Sequence, residues 1–205
     1  MKGSRIVAEL TERSITSGNF VFTPTSIEGV MVVDVKTYGD RRGYFMETYR
    51  RDNFAAAGID AEFVQDNQSS SSQGVLRGLH FQIAHPQAKL VRVIRGTVFD
   101  VAVDLRVGSP TWGKWEGIVL SEEIHRQFFV PRGFAHGFLV LSDEAEFCYK
   151  CDDTYHPGDE GGVMWNDPEI GIVWPAFLGE KNFDPARVIL SDKDKVHPPL
   201  FALKN

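Results

Sequence analysis

The sequence predicts an all-β domain with two packed sheets, arranged as a sandwich or a barrel. Short runs rich in β-branched and aromatic residues recur along the chain, and Gly, Pro, Asp and Ser interrupt them at close spacing. One segment, residues 52–58, has a clear helical pattern, with Asp52 or Asn53 as its N-cap and Gly58 as its stop. A second short helical segment is expected at residues 183–186. Many short strands and few helices are typical of sandwiches and barrels.

The strand candidates run from residue 30 to residue 151. Residues 30–35 are compact and largely β-branched. Residues 90–94 and 97–105 flank Arg95-Gly96, a turn-like break that predicts a β-hairpin. Alternation in the second of these runs places Asp100 and Asp104 on one face. We interpret both as structural, since that face offers no obvious acid–base partner in the sequence. The remaining candidates are residues 117–120, 127–130, 137–141 and 145–151.

Length, composition and charge narrow the class of protein. The chain has 205 residues, enough for one substantial core but short for two independent ones. Lys and Arg number 22 against 28 Asp and Glu, which gives a net charge of −6. This acidic balance argues against a nucleic-acid partner bound through broad electrostatics. No apolar run approaches the ~20 residues that cross a bilayer, and the first residues lack the apolar stretch of a secretory signal. We therefore expect a cytoplasmic protein with no membrane partner.

The chain is predicted to hold a single folded domain. Residues 1–19 are polar and lack clear periodicity, so we expect them to form a flexible N-terminal extension. From residue 20 onward no long linker rich in Pro, Ser or Gly divides the sequence. Residues 20–205 are thus predicted to fold as one unit.

The cysteine pair Cys148 and Cys151 forms a C-x-x-C motif, which invites a redox or zinc interpretation. The motif lies in an alternating, strand-like run, where three residues span roughly 10 Å, beyond the ~7 Å limit for the Cα atoms of a disulfide. The two side chains would also point to opposite faces, and no second cysteine pair completes a zinc site. Two reduced, structural cysteines are predicted.

A short motif makes the fold expectation more specific. Pro131-x-Gly133-x-x-His136 resembles the second signature of the cupins, which implies a jelly roll, or double-stranded β-helix, with few short helices. Metal-binding cupins require three histidines and a carboxylate. The residues that match the first signature are His80-Phe81-Gln82. The acidic ligand that should follow them is missing, and residues 86–89, which end in Lys89, occupy its place. Glutamine is a poor ligand and protonated lysine is none, so no metal site is expected.

Seven segments carry a more specific resemblance: residues 39–47, 63–67, 74–82, 89–92, 99–106, 133–138 and 190–194. In the same order and at similar spacing, they resemble the dTDP-4-dehydrorhamnose 3,5-epimerase family. The resemblance implies a cytoplasmic, cofactor-free homodimer with a jelly-roll core. It also implies conversion of dTDP-4-dehydro-6-deoxy-D-glucose to dTDP-4-dehydro-L-rhamnose, on the route to dTDP-rhamnose and surface polysaccharide. The substrate's own carbonyl can accept the electron pair, so neither a nicotinamide nor a pyridoxal is needed.

Inversion at C3 and C5 of a 4-keto sugar needs a base on one side of the ring, an acid on the other and a donor for the enolate oxygen. The resemblance implies His80 as the base and Asp194 as the carboxylate that orients it. Tyr149 matches the acid of the family, and Lys89 would lie beside the developing enolate oxygen. Strand alternation places Tyr149 on the same face as Phe147, which predicts that it points into the barrel.

Further residues are expected to bind the nucleotide sugar. A regular strand would put Arg77 and His80 on opposite faces, so either Gly78 permits a bulge or one of the two residues serves a partner subunit. The histidines at positions 85, 125, 156 and 197 are interpreted as structural. The expected binding residues are Arg42, Arg77 and Lys193 for diphosphate or hydroxyl groups, Glu47, Gln65 and Asn67 for hydroxyls and the pyrimidine edge, Tyr155 for stacking on thymine, and His136 and Glu160 as further substrate contacts.

Three alternatives remain open at this level. A relative that inverts only one carbon would use the same base. A metal-dependent cupin oxygenase or isomerase is disfavoured by the missing ligands, and a non-catalytic sugar-binding cupin by the complete catalytic set. One departure from the family pattern is the long segment 176–189, which could displace Asp194.

Overall fold

The computed structural model describes residues 14–204. Residues 1–13, which hold most of the predicted N-terminal extension, lie outside the described part. Residues 15–17 form a strand that pairs antiparallel with residues 20–22, so the sheet begins before the boundary predicted at residue 20. No helix among the described residues is both long and apolar enough to span a membrane.

Strands make up nearly all of the regular secondary structure in the described chain. Its one α-helix is α1 (Arg51–Ala56), and short 3-10 turns lie at Pro185–Arg187, Asp194–Val196 and Leu200–Leu203. The strands are β1 (Ile15–Ser17), β2 (Phe20–Pro24), β3 (Met31–Val35), β4 (Thr37–Asp40), β5 (Gly43–Met46), β6 (Gln65–Ser72), β7 (Leu76–Gln82), β8 (Lys89–Arg95), β9 (Thr97–Asp104), β10 (Trp115–Ser121), β11 (Gln127–Val130), β12 (Phe134–Val140), β13 (Glu144–Cys151) and β14 (Glu160–Gly162).

Two antiparallel sheets pack face to face, which confirms the predicted jelly roll. One sheet has the order β1-β2-β3-β11-β8-β13-β6 and the other the order β10-β9-β12-β7-β14, while β4 and β5 form a separate hairpin. The core between the sheets includes Val91 and Phe147 from the first sheet and Ala102 and Phe138 from the second. The Phe138 and Phe147 rings stack across it with centroids 4.1 Å apart. Alternate residues of each strand fill this layer.

The outer face of the five-stranded sheet is covered as well. Val101 and Val103 of β9 point away from the central core and pack in a cluster with Trp174, Phe177 and Leu200 of the C-terminal segment. Strand β9 is therefore buried on both faces. This covering brings the C-terminal segment back across the sheet, next to the end of the cleft described below.

The predicted hairpin around Arg95-Gly96 is wrong. Strand β8 lies between β11 and β13, whereas β9 lies between β10 and β12 in the other sheet. Gly96 has φ +76°, and a Cβ atom there would lie 2.0 Å from the Glu144 carbonyl oxygen. The tight turn thus carries the chain from one sheet to the other. A turn between sheets has the same sequence pattern as a turn within a sheet.

The predicted helix begins slightly earlier than expected. Its N-cap is Arg50, which makes no side-chain capping bond, so the prediction of Asp52 or Asn53 at that position is wrong. The helix is held instead by Phe54, which is fully buried and packs edge-on against Phe20 and Phe22 of β2. Burial of one aromatic anchor outweighs the missing cap, since packing supplies most of the stability of a short helix.

Both cysteines lie on β13 as predicted. Neither forms a disulfide; Cys148 is half-buried and Cys151 is buried. Burial raises the pKa of the Cys151 thiol to about 11. The thiol is thus protonated at neutral pH and a weak nucleophile, which supports a structural role.

Asp104 is a structural carboxylate at the end of β9. It is fully buried and accepts hydrogen bonds from the Arg106 guanidinium and from the hydroxyls of Ser109 and Thr111, the latter two at 2.6 Å. Burial opposes its ionisation, but these donors hold the pKa of Asp104 well below its ordinary value. The charge therefore stabilises the fold.

We expect Asp104→Asn to lower the free energy of unfolding by about 2–3 kcal/mol at pH 7, because charge-assisted hydrogen bonds are lost. A depressed folded-state pKa adds stability above the unfolded value of about 3.9, and this contribution fades as the pH falls below it. Urea unfolding at pH 7 and at about pH 3 tests this. The difference in free energy of unfolding between Asp104→Asn and wild type should be smaller at about pH 3 than at pH 7. An equal difference at both pH values would contradict a stabilising charge on Asp104. Asp192→Asn, at a fully exposed carboxylate, is the control and should change little.

Candidate active site

A cleft of about 570 Å³ lies between the two sheets. Strands β7 and β12 of the five-stranded sheet form one wall, β8 and β13 of the seven-stranded sheet form the other, and the C-terminal segment closes one end. All four predicted catalytic residues line this cleft: His80, Lys89, Tyr149 and Asp194.

His80 and Asp194 form a close pair at the end of β7. The His80 Nε2 atom lies 2.5 Å from Oδ1 of Asp194, which is buried in the 3-10 turn Asp194–Val196. Burial opposes ionisation of Asp194, but the hydrogen bond and charge of His80, together with contacts to Ser191 and His197, outweigh it, so the pKa of Asp194 lies below its ordinary value. An ionised carboxylate fixes the imidazole tautomer with its proton on Nε2. Nδ1 is then the nitrogen that can accept a proton. The long segment 176–189 has not displaced Asp194.

A third side chain, His197, stands beside this pair. Its Nε2 atom is 3.3 Å from Oδ1 of Asp194, and its ring lies edge-on to that of His80 with centroids 5.4 Å apart. The ring rests on β14, where a Cβ atom at Gly162 would lie only 2.2–2.5 Å from it. Sequence reasoning assigned His197 a structural role and missed this proximity. The three-residue spacing from Asp194, within one turn, is the signal that could have revealed it.

Tyr149 reaches the cleft from the opposite side. It lies on β13 of the seven-stranded sheet, whereas His80 lies on β7 of the five-stranded sheet. Tyr149 shares its inward face with Phe147, as strand alternation predicts. Burial raises the pKa of the Tyr149 phenol, which is therefore protonated at neutral pH. A protonated phenol and an oriented imidazole thus face one cavity from two different walls.

Lys89 begins β8 and contributes a cationic side chain to the same cleft. Burial lowers the pKa of its ammonium group, although Asp100 and Glu160 oppose the shift. A lysine of increased acidity is suited to donate a hydrogen bond to an oxyanion.

His136 and Asp100 form a second buried pair behind the cleft. The His136 Nε2 atom lies 2.9 Å from Oδ1 of Asp100, and burial lowers the pKa of His136. The expectation that Asp100 has no acid–base partner is therefore wrong. In the pairing of β9 with β12, Asp100 lies opposite Phe138, two residues from His136 along the strand. Such diagonal contacts become visible only when the strand pairing is known.

Arg77 and His80 both line the cleft, although a regular strand would separate them. The pairing of β7 with β12 shifts register between His136 and Phe138, and Gly78 has φ +126°. A Cβ atom at position 78 would lie 2.7 Å from the Cα atom of Gly137. Of the two explanations considered, the bulge at Gly78 accounts for the arrangement.

Five of the expected binding residues are connected by hydrogen bonds that reach the cleft at Lys193. The Gln65 side chain accepts a hydrogen bond from the Tyr155 backbone at 2.8 Å and donates one to Asn67 at 3.0 Å. Lys193, which lines the cleft, donates to Glu160. This bond, aided by one from the Tyr155 hydroxyl, holds the pKa of Glu160 below its ordinary value. The Tyr155 ring remains about half exposed.

Arg42 and Glu47 lie outside the cleft of the single chain. Arg42 is at the tip of the β4–β5 hairpin, where it pairs with Asp40 and is largely exposed. Glu47 accepts a hydrogen bond from Asn19 at 3.1 Å. The structure therefore brings Arg77, His136 and Lys193 to the cleft wall, but not these two residues.

The positions that match cupin metal ligands do not converge on one point. His80 faces Asp194, and His136 faces Asp100. Gln82 donates to the His85 carbonyl oxygen and accepts from the His156 backbone, so it joins two loops. These side chains act through hydrogen bonds within the fold.

Comparison with known proteins finds relatives over most of the chain. A family model described as dTDP-4-dehydrorhamnose 3,5-epimerase matches residues 24–201. A dTDP-4-dehydrorhamnose 3,5-epimerase from Methanothermobacter thermautotrophicus is 52% identical over 181 residues, which cover 88% of this chain and 95% of the relative. A dTDP-6-deoxy-D-glucose-3,5-epimerase from Legionella pneumophila, crystallised with dTDP-4-keto-L-rhamnose, is 48% identical with a TM-score of 0.81, over 88% of this chain and 92% of that one.

A relative with a narrower name is also similar. A dTDP-4-dehydrorhamnose 3-epimerase from Streptomyces niveus is 47% identical over 154 residues, which cover 74% of each chain. Its name specifies one carbon rather than two.

Proposed function

The chain belongs to the dTDP-4-dehydrorhamnose 3,5-epimerase family, and we propose that its cleft inverts C3 and C5 of dTDP-4-dehydro-6-deoxy-D-glucose to give dTDP-4-dehydro-L-rhamnose. The protein is thus an isomerase of dTDP-rhamnose biosynthesis. The observation that best supports the proposal is that His80 and Tyr149 enter one cleft from opposite sheets. Epimerisation needs a base and an acid on opposite faces of the sugar ring.

In the first step, Nδ1 of His80 removes the proton from the carbon next to the ketone. The electron pair moves into the carbonyl and forms an enolate. Asp194 is ionised and hydrogen-bonded to Nε2, so it stabilises the imidazolium produced. The same charge holds the ring in its orientation before the reaction.

Lys89 stabilises the enolate oxygen. Its ammonium group lines the cleft, and its lowered pKa brings its acidity closer to that of the enol. A preorganised donor of this kind typically lowers the barrier by about 3–4 kcal/mol.

Tyr149 returns a proton to the same carbon from the other face. The raised pKa keeps the phenol protonated until the enolate forms. Because the proton arrives from the wall opposite His80, the configuration of that carbon is inverted. His80 then releases its proton to solvent and Tyr149 takes one up from solvent, after which the same steps at the second carbon adjacent to the ketone complete the reaction.

The nucleotide extends from this point to the mouth of the cleft. Arg77 and Lys193 supply positive charge for the diphosphate, and Tyr155 offers an exposed ring for stacking on thymine. Gln65 and Asn67 provide amide groups for hydroxyls and the pyrimidine edge. His136 and Glu160 complete the proposed substrate contacts.

Turnover in D2O tests this function directly. We expect deuterium at both C3 and C5 of dTDP-4-dehydro-6-deoxy-D-glucose, detected by NMR or mass spectrometry. Deuterium at C3 alone would indicate the second candidate, a 3-epimerase, which the similarity to the Streptomyces niveus relative supports. Absence of exchange at both carbons would contradict both candidate functions.

We also propose that the enzyme is a cytoplasmic homodimer. Two free cysteines suit a reducing compartment. The β4–β5 hairpin exposes Tyr44 and Phe45, at 58% and 69% of their surface, and carries Arg42 away from the cleft of its own chain. A partner that covers this hairpin would bury both rings.

Light scattering should give twice the chain mass of 23.0 kDa. We expect Phe45→Ser to shift the mass toward that of one chain, since the interface loses an aromatic anchor. Phe201→Ser is the matched control, because Phe201 is exposed to a similar extent, 67%, elsewhere on the surface. A monomeric wild type, or an equal effect of both changes, would argue against this interface.

A further inference from the structure

We propose that His80, Asp194 and His197 form a binding site for a divalent transition metal ion such as Zn²⁺, and that the bound ion inhibits epimerisation. One ligand atom from each of the three side chains lies within 4.8 Å of the other two. The site itself follows from these donors alone. Its inhibitory effect also rests on the proposed function, since it requires His80 to be the base.

The donor spacing fits tetrahedral coordination. Metal–donor bonds of about 2.0–2.2 Å at tetrahedral angles place two donor atoms roughly 3.3 Å apart. The Nε2 atom of His197 is 3.3 Å from Oδ1 of Asp194. Nε2 of His80 is 2.5 Å from the same oxygen, so these two must separate by about 0.8 Å when an ion replaces their shared proton.

His197 has a nitrogen available for a ligand. Its side chain is 9% exposed, and within residues 14–204 its Nε2 atom has no hydrogen-bond partner of acceptable geometry. A buried polar atom is normally paired. The Gly162 backbone beneath the ring fixes its direction, so this nitrogen is held toward Asp194.

The chemistry of the donors selects the class of ion. Two imidazoles and one carboxylate suit Zn²⁺ and similar ions, whereas Mg²⁺ and Ca²⁺ prefer oxygen ligands throughout. Three protein ligands leave a fourth position for water. His80 and Asp194 both line the cleft, which provides the ion with a route from solvent.

The ion would act on the tautomer of His80. Coordination uses the lone pair of Nε2, so the single proton of the neutral ring must reside on Nδ1. Nδ1 can then no longer accept a proton from the substrate. Because the ion replaces the bond between His80 and Asp194, while other residues make the proposed nucleotide contacts, kcat should fall while KM remains nearly unchanged.

Titration with Co²⁺, followed by its visible absorption, tests the site without turnover. Wild type should give the intense bands of tetrahedral Co²⁺. The His197→Gln variant should bind Co²⁺ about 100-fold more weakly or worse, because loss of a direct ligand costs more affinity than loss of an outer-shell contact. His80→Asn provides a second variant that leaves the packing of His197 on Gly162 intact, and it should have the same effect. His85→Gln is the control, since it removes a ligand from the other described His–Asp–His group, His85, Asp153 and His156. Equal Co²⁺ affinity of wild type and His197→Gln would overturn the site.

Zn²⁺ inhibition tests the consequence. In wild type, Zn²⁺ should lower kcat without changing KM, and EDTA should restore turnover. Equal inhibition of His197→Gln should require a Zn²⁺ concentration about 100-fold higher. Inhibition that raises KM, or that persists equally in His197→Gln, would overturn the inhibitory role. If the wild type epimerises no dTDP-sugar, the proposed function fails, while the Co²⁺ titration still decides whether the site exists.

Discussion

We expect His80→Asn to lower kcat by about 10²–10⁴-fold and to slow the incorporation of solvent deuterium by a similar factor. An amide has no useful basicity, so no group remains to remove the proton next to the ketone. The Asn side chain can still donate a hydrogen bond toward Asp194, so the surrounding turn should stay in place. Single-turnover rates and deuterium content measured by NMR provide the test.

Two controls make this result specific to the base. His85→Asn, at an exposed histidine, should leave kcat close to that of wild type. Calorimetry with dTDP should give similar affinities for wild type and His80→Asn, because the proposed nucleotide contacts are made by other residues. Deuterium exchange at the wild-type rate in His80→Asn would show that another residue is the base.

The second large effect is expected for Tyr149→Phe. The ring still packs beside Phe147, but the phenolic proton is gone. His80 should continue to remove and return protons on its own face, so deuterium exchange into the substrate persists. Inversion should fall by about 10²–10⁴-fold, since no acid remains on the opposite wall.

The informative measurement is the ratio of deuterium exchange to product formation in the same sample. This ratio should rise sharply in Tyr149→Phe relative to wild type. Phe147→Leu, which alters the packing beside the phenol but keeps its proton, serves as the matched control and should leave the ratio near the wild-type value. Normal turnover by Tyr149→Phe would mean that the acid is another group.

Much of the fold was predictable because most strands carry β-branched and aromatic residues at alternating positions. The predicted strands between residues 30 and 151 correspond to β3 and to β8 through β13. Strand β6 was missed, since its sequence QDNQSSSS has no apolar residue. Its eight residues form a strand by pairing along the full length of β13. Such a strand depends on its neighbour, which local pattern does not reveal.

The site was predictable mainly through family resemblance. Strand alternation gave the direction of Tyr149, but nothing local connects His80 with Asp194, 114 residues later. The pair of Asp100 with His136 and the position of His197 were missed, because both depend on how distant segments pack. Arg42 and Glu47 were expected at the substrate and lie elsewhere in the single chain.

The carboxylate that orients the base comes from a segment that follows every strand the structure describes. A nascent chain that has completed both sheets therefore possesses the two walls of the cleft with the imidazole and the phenol, but still lacks the segment that closes one end and supplies Asp194. The sheets and the oriented base thus come from different parts of the chain. A variant truncated before residue 194 should lose deuterium exchange even where both sheets have formed.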